Sequence, residues 1–212
     1  MKKYILPGAI ALSMFGSIAI AADNETRAGF GYDQTDISNL EVTTYGLYVD
    51  GIQNDWKYYG FAGTGDIAGV DFDKIDGKAS WTGFGQKLKF GPALRYSGID
   101  PVGAGYSDTG WGGLAVAGEL GNVDLYGDIL GEFDHMQDDW SLALEADWHP
   151  DDRWTVSGDY LYQELGTTIS QDVKIGGRYN ITNRMFGEAG VRWNEVNNID
   201  GSGFYVSTGI KF

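Results

Sequence analysis

The chain has 212 residues, with 15 Lys and Arg against 30 Asp and Glu, a formal charge of −15, no cysteine and 33 glycines. So acidic a surface draws in neither nucleic acid nor anionic lipid by bulk electrostatics, and no nucleic-acid partner is expected. Disulfides cannot hold the fold, and abundant glycine and aromatic residues with only four prolines suit a β protein rich in turns.

The opening MKKYILPGAIALSMFGSIAIAAD places Lys2 and Lys3 before an apolar run that ends in small residues around Ala19-Ile20-Ala21. This predicts a secretory signal peptide over residues 1–21 and a single mature domain over 22–212. The run falls short of the ~20 residues of a spanning helix, and Asp23 and Glu25 follow it closely. Loss of Lys2 and Lys3 changes the charge to 13 − 30 = −17. No later stretch reaches helical spanning length, which excludes an α-helical membrane protein. A membrane β-barrel needs none, because its strands show only alternation in segments of about ten residues.

Alternation recurs along the chain. Residues 25–34 offer Ala28, Phe30 and Tyr32, and residues 40–51 offer Tyr45, Leu47 and Val49. Residues 55–64 and 77–86 are strand-like, but WKYYGFAG and SWTGFGQ carry aromatics on both parities and leave their faces unassigned. LKFGPALRYS sets Leu88, Phe90, Leu94 and Tyr96 against Lys89, Arg95 and Ser97. Leu114 and Val116 precede a turn at Leu120-Gly121-Asn122, after which Val123, Leu125, Ile129 and Phe133 alternate with Asp124, Asp128 and Glu132. WSLALEADW sets Trp140, Leu142, Leu144, Ala146 and Trp148 against Ser141, Ala143, Glu145 and Asp147. The turn HPDD leads into Trp154, Val156, Gly158, Tyr160 and Tyr162, with Ser157, Asp159 and Gln163 between them. Ile169, Val173, Ile175 and Tyr179 then oppose Ser170, Asp172, Lys174 and Arg178. After NITNR, Met185, Gly187, Ala189, Val191 and Trp193 oppose Glu188, Gly190, Arg192 and Asn194. In the last segment Phe204, Val206, Thr208 and Ile210 lead to Phe212, with Tyr205, Ser207, Gly209 and Lys211 between them.

The sum is twelve strands, all antiparallel, in an up-and-down transmembrane barrel. With a periplasmic N-terminus, short turns are expected near 52–54, 87, 120–122, 149–152 and 180–183. Longer loops are expected near 35–39, 65–76, 99–110, 134–138 and 196–202, with a short exception near 165–167. If Gln86-Lys87 is not a turn, ten strands result, since the number is even in bacterial barrels. Trp148, Trp154, Tyr179 and Phe212 would form one aromatic girdle, and Tyr32, Tyr96, Phe133, Trp140, Tyr162, Trp193 and Phe204 the other. A soluble β-sandwich has no reason to place aromatics at both ends of its outward face.

On the leader, the alternating strands and the last strand ending in Phe212, the chain resembles the Gram-negative outer-membrane β-barrel class. By size and strand count it is similar to small monomeric porins of the oligogalacturonate-specific type, with no diagnostic motif of that family. The resemblance implies a monomer among outer-membrane lipid and lipopolysaccharide. It also implies that Phe204, Val206, Thr208, Ile210 and Phe212 form the signal read by the barrel-assembly machinery.

The inward faces carry the candidate site. Glu119, Asp124, Asp128, Glu132, Glu145, Asp147 and Asp159 form an acidic arc. Arg27, Lys174, Arg178, Arg192 and Lys211, with Asp33, Asp172 and Glu188 interspersed, form a largely basic arc to which Lys89 and Arg95 add. Either these opposed charges set a transverse field across a water-filled pore, or they pair and plug a narrow barrel. Asp71–Gly77, DFDKIDG, departs from calcium-loop spacing and lacks the distal Glu, so a solvated acidic loop is expected, able at most to bridge to lipopolysaccharide through divalent cations. No resident metal or cofactor is expected. His135 falls in an external loop and His149 in a periplasmic turn. The reading is a narrow passive channel for small hydrophilic solutes and not an enzyme. The alternatives are a closed surface barrel with acidic external loops, and a rim hydrolase acting on lipid around His135.

Overall fold

A computed structural model describes residues 25–38, 40–102, 107–133 and 139–212. The expected signal peptide, the expected loop near 134–138 with His135, and parts of the expected loops near 35–39 and 99–110 lie outside them. The described chain is all-β: β1 (Thr26–Ile37), β2 (Leu40–Gln53), β3 (Trp56–Ile67), β4 (Val70–Trp81), β5 (Phe84–Gly85), β6 (Leu88–Pro101), β7 (Ser107–Leu120), β8 (Val123–Glu132), β9 (Trp140–Trp148), β10 (Trp154–Leu165), β11 (Thr168–Asn180), β12 (Met185–Val196) and β13 (Ile199–Lys211). Consecutive strands pair antiparallel, except that β4 and β5 do not pair with each other. β4 pairs with β6 over Phe72–Ser80, and the two-residue β5 continues that ladder along the lower part of β6, so β4 and β5 make one stave. Twelve staves result, and Gln86-Lys87 is a turn. β1 closes on β13 from Arg27↔Lys211 to Ile37↔Gly201, and the Phe212 amide donates to the Thr26 carbonyl at 2.9 Å.

Closure settles which face is which. Along the ladder Phe30, Leu47, Ala62, Ile75, Leu94, Leu114, Ile129, Leu144, Ile175, Val191 and Val206 all take the outer face, and Leu47 and Leu114 are 55% and 63% exposed. An exposed apolar band of this kind suits lipid and would be a liability in water. Aromatics bound it at both ends. Toward the termini Trp81 meets Phe84 edge-on at 4.9 Å and Trp154 meets Tyr179 at 4.9 Å; toward the distal end Tyr32 meets Phe204 at 5.9 Å and Trp140 meets Tyr162 at 4.8 Å. The faces of the two ambiguous segments also resolve: Trp56, Tyr58, Gly60 and Ala62 of the first and Ala79 and Trp81 of the second take outward positions, while Lys57, Tyr59 and Phe61 of the first and Lys78 and Ser80 of the second point in.

The structure corrects the loops. Three distal connections expected to be long are tight turns, around Ser38, Ala68-Gly69 and Asn197-Asn198, while the one around Gly166 is short as expected. Ala68 (φ 53°) with Gly69 (φ 85°), and Asn197 (φ 50°) with Asn198 (φ 66°), are left-handed at both positions, as hairpins whose twist matches their strands require. Asp66 Oδ1 accepts the Gly69 amide at 2.9 Å and holds the first of them. DFDKIDG is therefore no loop: it lies within β4, which begins at Val70. The ladder runs past the distal girdle, where Asp36, Glu41, Asp71, Asp73, Asp100, Asp108 and Asp200 occupy outward positions in water. Alternation vanishes there because both faces are wet, but the hydrogen bonding does not.

Inside, glycine makes room for aromatic rings. The Tyr205 ring lies over Gly176 and Gly190, where an added Cβ would stand 1.9 and 2.5 Å from its atoms. Phe61 lies likewise over Gly46 and Gly63. A side chain at these glycines would push the rings into the lumen. Gly190→Val is expected to destabilise the barrel by about 1–3 kcal/mol, with partial recovery when Tyr205→Ala is added, measured by urea unfolding in lipid vesicles. On the outer band, Leu144→Arg is expected to cost about 2–4 kcal/mol, against about 1 or less for Gln171→Arg near the distal rim.

Candidate functional site: the barrel interior

The interior is divided. On the β6–β8 side Ala93, Trp111, Ala115 and Leu130 pack into a small apolar cluster, with Trp111 2% and Leu130 1% exposed. Among the described residues the remaining space is a cavity of about 510 Å³ lined from β1–β4 and β8–β12, with Arg95 alone from β6. The water-accessible lumen is thus off-centre, and its wall is dense in ionised groups.

Each expected inward residue has interior parity, but their partners differ from the expected arcs. Asp128 pairs with Lys78 of β4, and Glu145 pairs with Lys57 of β3 at 2.5 Å. β3 and β9 stand nearly opposite each other in the strand order, so Lys57 and Glu145 form a bar across the lumen. The Lys57 ammonium also lies 3.6 Å from the centroid of the Tyr126 ring, which shields its other side. The bases that answer the acidic arc are therefore lysines of β3 and β4.

The basic arc is largely compensated by acids of its own strands. Arg192 donates to Asp172 at 2.7 Å and to Asp33 at 2.9 Å; Lys174 reaches Asp33 at 3.3 Å. Arg178 pairs with Glu188 at 3.0 Å, and Arg27 pairs with Asp50. Arg95 grips Asp76 with two hydrogen bonds of 3.3 and 3.1 Å, the fork that suits guanidinium to carboxylate. Lys89 and Lys211 sit near the termini end, on Asp55 at 2.9 Å and Glu25 at 2.8 Å, outside the cavity lining. Glu119 is exposed at that end, and Glu132 faces inward toward the distal end. Asp147 and Asp159 line the cavity on β9 and β10.

Sequence reading missed Asp50, Lys57, Lys74, Asp76 and Lys78. The signal was present: Lys74, Asp76 and Lys78 repeat every second residue, as one face of a strand does. It was hidden because the segment read as a loop and because Tyr59 and Phe61, both inward, share their strand with outward Trp56 and Tyr58.

Of the two histidines, His149 is the one described. Its Nε2 lies 3.1 Å from Asp124 and its Nδ1 3.2 Å from the Thr155 hydroxyl, while its amide donates to the Asn122 carbonyl at 2.9 Å. These contacts clamp the β7–β8 turn to the β9–β10 turn at the termini end. Among the described residues no group of three or more His, Asp or Glu side chains is placed to hold a metal ion.

A closed antiparallel barrel with a lipid-facing belt and an ionised interior defines the class: a transmembrane up-and-down β-barrel. No protein-family model matches the chain, and no curated protein matches it. Among solved structures it is similar to the KdgM porin in complex with disordered oligogalacturonate, at 12% identity and a TM-score of 0.60 over 88% of this chain and 99% of that one. It is also similar to the NanC porin, at 8% identity and a TM-score of 0.62 over 86% and 100%. These likenesses establish the fold.

The cross-lumen pair is testable by a double-mutant cycle. Lys57→Met or Glu145→Leu alone strands a charge in the lumen and is expected to cost about 1–2 kcal/mol; the double variant is expected to cost less than the sum of the two. Unfolding of the four chains in vesicles measures the coupling.

Proposed function

We propose that this chain is an outer-membrane channel through which small hydrophilic solutes diffuse. The observation that carries the reading is the cavity of about 510 Å³ along the interior, walled by ionised side chains of both signs. Ionised groups pointing away from lipid are solvated by water or by a polar solute, and their ring sets what passes. The porins of like fold support a channel, and the KdgM complex with oligogalacturonate supports polar solutes; the lining here is of mixed sign, and no chemistry is performed on the solute.

The same reading places the chain in the outer membrane after export by its signal peptide. The barrel-assembly machinery would read the strand from Phe204 to Phe212, and lipid and lipopolysaccharide would surround the product. On this reading it is a monomer, supported by the closure, among the described residues, of β1 on β13, the two strands that hairpins leave open.

In a planar bilayer the mature protein is expected to give discrete conductance steps. A folded barrel that stays silent at all salt concentrations would instead support the closed surface barrel. Asp128→Asn with Glu145→Gln releases Lys78 and Lys57 from their partners, and the reversal potential under a salt gradient is expected to move toward anions. Lys57→Gln with Lys78→Gln is expected to move it toward cations. An unchanged potential in both would remove the four residues from the conducting path.

A further inference from the structure

The ionised groups lining the cavity compensate one another almost completely. Arg27, Asp33, Asp50, Lys57, Asp76, Lys78, Arg95, Asp128, Glu145, Asp172, Lys174 and Arg192 each have an opposite charge within ion-pair distance. Among the described residues three lining groups do not: Lys74, Asp147 and Asp159. Asp147 and Asp159 sit on adjacent strands, diagonal across the ladder from Ser157↔Asp147 to Asp159↔Glu145. Glu145 between them is already taken by Lys57. Ser157 stands opposite Asp147 in the ladder but brings no charge. Lys74 stands on β4, four residues from Lys78 toward the distal end, on the wall nearly opposite β10.

We infer that the channel selects dipolar solutes, small molecules carrying both a carboxylate and an ammonium group, with Lys74 receiving the anionic end and Asp147 with Asp159 the cationic end. The inference rests on the channel reading above. Confined charges whose neighbours leave them uncompensated attract opposite charge more strongly than exposed ones do. A simple anion gains at Lys74 and is repelled by the aspartate pair; a simple cation meets the reverse. A neutral solute gains at neither. A zwitterion gains at both, and the paired groups around it are already occupied and do not compete for it.

Influx into proteoliposomes of glycylglycine, a zwitterion, and of N-acetylglycinamide, a neutral solute of near-equal size, tests this. The zwitterion is expected to enter faster by about fivefold, as one added contact with a charge in water would give. Lys74→Met, and Asp147→Asn with Asp159→Asn, are each expected to lower the ratio, and all three substitutions together to bring it close to one; Lys74→Arg and Asp159→Glu are expected to keep the wild-type ratio. Heat-modifiable mobility on gels identifies the folded barrels to be compared. Equal influx of the two solutes through the wild-type protein, or a ratio indifferent to all the charge-removing variants, overturns the inference and leaves the channel standing. Influx of neither solute overturns both.

Discussion

In hydrocarbon, an unpaired backbone amide or carbonyl costs several kcal/mol, and a strand can meet that demand only through its neighbours. Closure of β1 on β13 meets it here, and much else depends on it. Closure fixes two faces for every strand, one toward lipid and one toward the lumen, and so dictates where the chain can place charge. Ten of its bases, from Arg27 to Lys211, have interior parity; Lys87, Arg153 and Arg184 sit at or beside turns of the termini end. The acids outside the lumen are left to the wet rims.

Placing so many ions within one narrow tube raises a second constraint. Each charge taken from bulk water must be hydrated or matched. The interior matches most of them and fills one side with Trp111, Leu130 and two alanines, which leaves an eccentric cavity. Interior glycines serve the same end, since rings such as Tyr205 and Phe61 lie against the wall over them. The width of the cavity is therefore set by how closely these rings approach the wall and by the bar from Lys57 to Glu145.

The sequence made the membrane belt legible because lipid demands strict alternation: from Leu88 to Ile210 each outward residue named on parity alone has outward parity in the barrel. Where that demand lapses, legibility lapsed too. Beyond the distal girdle both faces meet water, so strand residues such as Asp71 and Asp73 looked like loop. On β3 the aromatics at Tyr59 and Phe61 imitate a lipid face while pointing inward, which concealed Lys57. The site itself depends on pairings between distant strands, Lys78 with Asp128 and Lys57 with Glu145, and no local pattern announces those.

Eleven of the twelve seams join staves that follow one another along the chain, and each can form as a hairpin. The twelfth joins residues at opposite ends of the described chain. Local ladders zip quickly, whereas a contact of such separation waits on the whole chain. The curled sheet that precedes it exposes two raw edges, β1 and β13, each able to add a strand from another molecule. The hazard of assembly is thus concentrated in one late step, and the faster that seam zips, the shorter the time for which two such edges are open to a neighbour.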